Sequence, residues 1–198
     1  MSHSFGPARK ALATLLALTV IGLGSAFGQA RGGRAELKGS ETGGDFTLTD
    51  DKGAPFRLAD QRGKVVLLFF GYTSCPDACP ATMSKLSSVY KGLGADRDRV
   101  LTVFISVDPN RDTPEALGKY MHYFGINAVG LTGKKAEIDA VVRQYGASYA
   151  IEKSDSALGY HIRHSTDLYL IGPNGKIAEQ FKYAEAPGTI LSGAKRLL

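Results

Sequence analysis

The chain has 198 residues, 43% of them hydrophobic, with 24 basic and 19 acidic side chains and a net charge of +5. Four basic residues (Arg9, Lys10, Arg31 and Arg34) and no acidic ones precede Ala35, which leaves 20 against 19 beyond it, a net of +1. The cationic excess therefore belongs to the N-terminal segment and gives no basis for nucleic-acid binding. The length suits one domain of about 160 residues after that segment.

In chain order, Arg9 and Lys10 form a basic n-region, Ala11 to Gly24 is apolar and uncharged, and small residues follow. Gly24-Ser25-Ala26 and Gly28-Gln29-Ala30 offer cleavage sites, so residues 1–30 read as an export signal. The apolar run is short for a membrane span of about 20 residues, which favours cleavage; the other reading is an uncleaved anchor from Ala11 to Phe27. No cysteine lies near its end, which excludes a lipid attached there. Export implies a periplasmic protein, on the membrane only through this segment, whose cysteines are oxidised unless reduced or metallated. Residues 31–44 read as a linker and residues 45–198 as the domain.

Phe46 to Thr49 alternates as a strand, and Asp51-Lys52-Gly53 turns the chain into Phe56-Arg57-Leu58, an N-terminal hairpin. Val65 to Phe70 is an apolar run of buried-strand type. Ala81 to Leu93 reads as a helix, with Met83, Leu86, Val89 and Tyr90 on its apolar stripe. Val100 to Val107 is a second continuous apolar strand, typical of a parallel sheet covered on both faces. Thr113 can cap a helix that has Pro114 in its first position, Glu115 in its first turn and an end near Phe124. A short strand at Val129 to Leu131 and an amphipathic helix from Lys134 to Tyr145 follow. Tyr149 to Ile151 leads into a polar excursion, Glu152 to Gly159, from which Tyr160 to Arg163 returns. Thr166 to Ile171, the turn Gly172 to Gly175, and Lys176 to Phe181 form a terminal hairpin, and Gly188 to Leu198 a closing helix. Alternating strands and helices predict an α/β protein with a largely parallel central sheet flanked by helices, the layout of a thioredoxin-like fold. There is no repeat and no second domain.

Both cysteines, Cys75 and Cys79, fall where the first buried strand meets its helix, at the sheet end where open α/β proteins place their sites. Unpaired N–H groups and the positive end of the helix dipole favour a thiolate there. The pair is four apart, not the three of Cys-x-x-Cys, and on a helical turn residues four apart share a face. Two convergent soft sulfurs suit Cu(I) or Zn, or close a disulfide. The plainer alternative is a structural disulfide or two core thiols, against which Pro76 and Asp77 mark an exposed turn.

At this point the sequence resembles the Sco/SenC family, proteins that handle copper in cytochrome c oxidase assembly. Three blocks carry the resemblance: Gly71-Tyr72-Thr73-Ser74-Cys75-Pro76-Asp77-Ala78-Cys79-Pro80; Ser106 to Pro114 (SVDPNRDTP); and His164-Ser165 with Tyr169 to Gly175 (YLIGPNG). It implies a copper site of Cys75, Cys79 and His164. The implied activity is a metallochaperone that hands Cu(I) or Cu(II) to the binuclear copper centre of the oxidase. The implied partners are the oxidase's copper-bearing subunit and another periplasmic copper chaperone or a thioredoxin-like reductant. The donor chemistry agrees, since two thiolates suit Cu(I) and an added imidazole makes the site usable by Cu(II). The competing function is a thiol–disulfide oxidoreductase in which Cys75 attacks and Cys79 resolves; a peroxidase fits poorly, because Thr73 lacks the usual spacing.

Around these residues, His161 is expected on the opposite face of its strand from His164 and in solvent, and His122 on a helix surface. His3 belongs to the leader. Met83 is either a soft ligand or core, with core favoured. Asp77 is either a turn residue or a modulator of the sulfurs. Asp108 is expected to accept a hydrogen bond from His164, and Asp112, Thr113 and Glu115 to serve as caps. The family commonly carries an acidic residue just before the histidine; here it is Arg163. A cation there would disfavour bound metal if it faced the site, and alternation along an extended segment can turn it away.

Overall fold

The computed structural model describes residues 42–155 and 159–198. The expected export segment, His3 and most of the expected linker lie outside them, and among the described residues no helix is long and apolar enough to cross a membrane.

Seven strands form the main sheet in the order β2-β1-β5-β4-β3-β8-β9. These are β1 (Thr47–Asp50), β2 (Pro55–Arg57), β3 (Val65–Gly71), β4 (Val100–Ser106), β5 (Ala128–Thr132), β8 (Leu168–Ile171) and β9 (Ile177–Phe181). Two more, β6 (Tyr149–Lys153) and β7 (Tyr160–His164), pair only with each other. The parallel part is β3, β4 and β5, joined through α1 (Ala78–Leu93) and α2 (Pro114–Tyr123). The remaining pairings of the main sheet are antiparallel, so the sheet is mixed. Short turns make β1–β2 and β8–β9 antiparallel hairpins, helical crossovers build the parallel centre, and each hairpin joins that centre through an antiparallel strand, β1 on β5 and β8 on β3.

All seven residues of β3 and all seven of β4 are buried, which explains their unbroken apolar sequence. Period-two alternation sends Val65, Leu67 and Phe69 to one face and Val66, Leu68 and Phe70 to the other. The first face packs on Met83, Leu86 and Val89 of α1, Leu117 and Met121 of α2, and Ile190 and Ala194 of α4 (Pro187–Lys195). The second packs on Ile138, Val141 and Val142 of α3 (Lys135–Gln144) and on Phe46, Leu48 and Phe56 of the N-terminal hairpin. Each such side chain contributes about 1.5–3 kcal/mol by leaving water. Leu67→Ala, at a fully buried position, would cost about 2–5 kcal/mol.

Two boundaries differ from those expected. Helix α1 begins at Ala78 rather than beyond Cys79, so the second cysteine lies in its first turn. Pro80 permits this, because the third helical N–H has no intrahelical acceptor to lose. The excursion after Ile151 is in part a second sheet, with Glu152 opposite His161 and Lys153 opposite Tyr160.

Candidate metal centre

Strand register builds the site. Gly71 pairs with Ser106 at the ends of β3 and β4, and the Val107 N–H donates to the Gly71 carbonyl at 2.8 Å. The two turns that follow therefore leave the sheet side by side, one carrying the cysteines and the other residues 107–113. Gly71 itself is required by close approach: a Cβ there would stand 2.5 Å from Cys79 Sγ and 2.6 Å from the Phe104 ring.

Cys79 is buried against Met83, Phe69 and Phe104, while Cys75 is half-exposed at the turn. The Cys79 N–H, in the first turn of α1, points at Cys75 Sγ at 3.5 Å. His164 closes the group from the end of β7, its Nε2 lying 3.5 Å from Cys79 Sγ and 3.8 Å from Cys75 Sγ. The three donor atoms all lie within 4.8 Å of one another, and no other cluster of three such residues occurs among the described residues. Those separations are of the size two ligands of one ion adopt with bonds of about 2.0–2.3 Å. Both cysteines are free thiols.

The proton inventory follows from the contacts. His164 Nδ1 lies 2.9 Å from the Ser165 carbonyl, which can only accept, so Nδ1 carries a proton and Nε2 is the nitrogen facing the sulfurs. The side-chain hydrogen bond from Cys79 pulls the Cys75 thiol down to about 3, and His164 and backbone N–H groups pull the same way against burial. The same shared proton, with burial, pushes Cys79 far up. Burial alone would lower His164, but the Cys75 thiolate and the backbone carbonyls outweigh it and raise the imidazole. Without metal, one thiolate, one thiol and a proton-holding imidazole face each other. A soft metal ion held by Cys75, Cys79 and His164 would displace those protons and meet two sulfurs and the Nε2 lone pair.

Other predicted neighbours fall elsewhere. His161 is exposed and paired with Glu152 Oε2 at 2.8 Å, and His122 is exposed on α2. Met83 is fully buried core. Asp77 is exposed, precedes α1, and makes no side-chain cap bond. Arg163 turns outward, 75% exposed, and its Nε pairs with Glu152 Oε1 at 2.9 Å, so its charge does not enter the site.

Two expectations are corrected. Asp108 does not accept from His164, whose Nδ1 bonds the Ser165 carbonyl; its Oδ1 takes the Tyr160 hydroxyl at 2.8 Å and its Oδ2 the Arg111 guanidinium. Thr113 caps α2 through the Ala116 N–H and Glu115 pairs with Lys119, but Asp112 caps nothing. Its side chain is fully buried, where it accepts from the Thr73 N–H (2.9 Å), the Thr73 hydroxyl (2.6 Å) and the Ser106 hydroxyl (2.6 Å). Asp112 thereby fixes the turn that leads into Cys75. A signal existed in the sequence: Thr73, Ser106 and Asp112 are polar residues where two buried strands end.

Fold and site together define a thioredoxin-like α/β protein with a Cys2His donor set at the carboxyl end of its central strand. The SCO1/SenC family model matches residues 34–198, and the chain belongs to that family. It is 36% identical over 154 residues to a SCO2-like protein of Rickettsia felis, an alignment covering 77% of this chain and 75% of that one. The copper-bound structure of Bradyrhizobium japonicum ScoI superposes with a TM-score of 0.73 at 36% identity, covering 79% of this chain and 99% of the other. A structure of BsSco, described as a member of the Sco family of cytochrome c oxidase assembly proteins with a disulfide switch, superposes with a TM-score of 0.60 at 27% identity, covering 79% of this chain and 93% of the other.

Proposed function

We propose that this chain is a periplasmic copper chaperone that holds one copper ion through Cys75, Cys79 and His164 and passes it to the copper-bearing subunit of cytochrome c oxidase. The observation that carries this reading is the convergence of two sulfurs and one imidazole nitrogen within 4.8 Å, from turns far apart in sequence. The donor chemistry supports copper: two thiolates satisfy Cu(I), and the imidazole accommodates Cu(II). The copper carried by Bradyrhizobium ScoI and the assembly role given for BsSco support the same assignment. Delivery proceeds by ligand exchange. Cys75, the more exposed sulfur, releases first to an incoming thiolate, Cys79 follows, and His164 takes up a proton as the site empties. The export pattern of residues 1–30 supports a periplasmic location, with that segment either cleaved or kept as an inner-membrane anchor.

A second reading has its own observation, the split between a low Cys75 and a high Cys79. The Cys75 thiolate attacks a disulfide of the oxidase subunit or another periplasmic partner and forms a mixed disulfide, releasing one partner thiolate. Cys79 gives up its proton and attacks the Cys75 sulfur. The Cys75–Cys79 disulfide closes and the second partner thiolate leaves, so two electrons pass from chain to partner. A thioredoxin-like reductant then restores the thiols.

Adding Cu(II) to reduced protein separates the two. The copper reading predicts an intense thiolate-to-copper absorption band that saturates at about one equivalent. His164→Ala loses that band and keeps Cu(I). Absence of the band in the unaltered protein, with rapid reduction of a test disulfide, would establish the oxidoreductase in its place.

A further inference from the structure

We infer that the turn between β4 and α2, residues 107–113, is the template that sets the distance from His164 to the two thiols, with Asp108, Arg111 and Tyr160 as positioning residues. The inference rests on the copper-chaperone reading for its purpose, though the geometry stands without metal.

The two halves of the donor set are held unequally. The cysteines sit on elements locked into the main sheet, whereas the histidine sits on β7, whose only strand partner among the described residues is β6. That hairpin needs other attachments. Tyr149 reaches α3 through Asp139 at 2.6 Å, and the Ile162 N–H donates to the Tyr72 hydroxyl at 3.3 Å. The third attachment is the densest. Asp108, 2% exposed, accepts the Tyr160 hydroxyl and the Arg111 Nε–H, and Arg111 Nη1 donates to the Tyr160 carbonyl at 3.2 Å. The guanidinium also lies 3.8 Å above the Tyr160 ring and 5.7 Å from the Tyr72 ring, whose edge meets His164.

One nitrogen of that guanidinium, Nη2, is buried with no hydrogen-bond partner among the described residues. Leaving a charged group's donor unpaired and desolvated is costly. Arg111 is held there against that cost by a carboxylate, a carbonyl and two aromatic faces. The same turn supplies Asp112, which fixes the cysteine loop through Thr73. One short segment thus grips both halves of the donor set: Asp112 holds the sulfurs' side, and Asp108 with Arg111 holds the imidazole's side. Neither grip touches the three donor atoms. Its effect falls on the relation between them.

Tyr160→Phe removes the hydroxyl and keeps the ring for stacking. Arg111→Lys keeps the charge beside Asp108 and loses the planar fork, which a lysine does not replace. Two readouts are taken on each. In metal-free reduced protein, amide hydrogen exchange at residues 160–165 is expected to quicken about tenfold while that of α4 stays fixed. In copper titrations, affinity for Cu(II) is expected to fall about tenfold, as for other groups that orient a ligand, while affinity for Cu(I), carried by the thiols, changes less than about twofold. Unchanged exchange at residues 160–165 in both variants overturns the inference, as does a parallel loss of Cu(I) and Cu(II). If the unsubstituted protein shows no Cu(II) bound through His164, the copper reading falls instead, and the exchange result alone decides the grip.

Discussion

The cysteine turn and the histidine hairpin contribute to one site but are built to different standards. Cys75 and Cys79 follow a strand buried along its whole length, under a helix whose apolar face packs on that strand. Displacing them means disturbing the core. His164 ends a strand of a two-stranded sheet, attached to the body by one core side chain, Ile162, and by tyrosine, aspartate and arginine contacts. Two-stranded sheets have little stability of their own. The difference teaches that the sulfur pair is a fixed base, and the imidazole an adjustable third donor. Such a division would suit the proposed copper carrier, since two thiolates satisfy Cu(I) and the imidazole would be needed for Cu(II).

The fixed half breaks most visibly through its protons. With the Cys75 thiol lowered to about 3, its thiolate is fully formed above that value and is lost only as pH falls through it. The alkylation rate of Cys75 by iodoacetamide is expected to vary less than about twofold between pH 5 and 8. An ordinary thiol would gain roughly 700-fold over that range from its growing thiolate fraction. A rate that climbs tenfold per pH unit at Cys75 would show that the turn does not stabilise the anion. Mass spectrometry assigns the modified residue, and Cys79, pushed up and buried, should remain unlabelled throughout.

A steric change sharpens the same half. Gly71→Ala adds a methyl where Cys79 Sγ and the Phe104 ring already meet. Overpacking of this kind costs about 1–3 kcal/mol, to be read as a loss in thermal unfolding of the metal-free protein. The backbone of Gly71 is ordinary strand, so the penalty measures the contact alone. A melting temperature unchanged within a degree would mean the sulfur is free to move, and the fixed base would be an illusion.

What the sequence disclosed follows the same division. The all-apolar runs of β3 and β4, the Thr113-Pro114 helix start and the Cys75–Cys79 turn are local patterns, each readable from neighbours along the chain. The placement of His164 was not local; it came from resemblance, because nothing in Tyr160 to His164 says which sheet end it meets. At Asp112 the local pattern suggests a cap, since Thr113 and Pro114 stand beside it. Its contacts are with Ser106, six residues earlier, and with Thr73, 39 residues earlier, which the parallel register of β3 and β4 brings near. The Tyr160 partner of Asp108 is hidden for a related reason: the strand bearing Tyr160 arrives from a separate sheet, and no periodicity reports its docking. The mixed character of the main sheet came from its hairpin ends, whereas the alternation of strands and helices reports its parallel centre.

The adjustable half offers the smallest expected effect. Arg163 precedes the histidine but faces solvent and pairs with Glu152. Arg163→Glu is expected to change Cu(II) affinity by less than about twofold, the scale of an exposed and screened charge. A tenfold gain in a calorimetric or competition titration would place the guanidinium in the site after all.

X-ray absorption at the copper edge of the Cu(II)-loaded protein tests the shared donor set most directly. The account predicts two sulfur scatterers and one imidazole nitrogen in the first shell, with the imidazole lost and both sulfurs retained on reduction or in His164→Ala. A first shell of nitrogen and oxygen alone, with both thiols still free to alkylation, would contradict it.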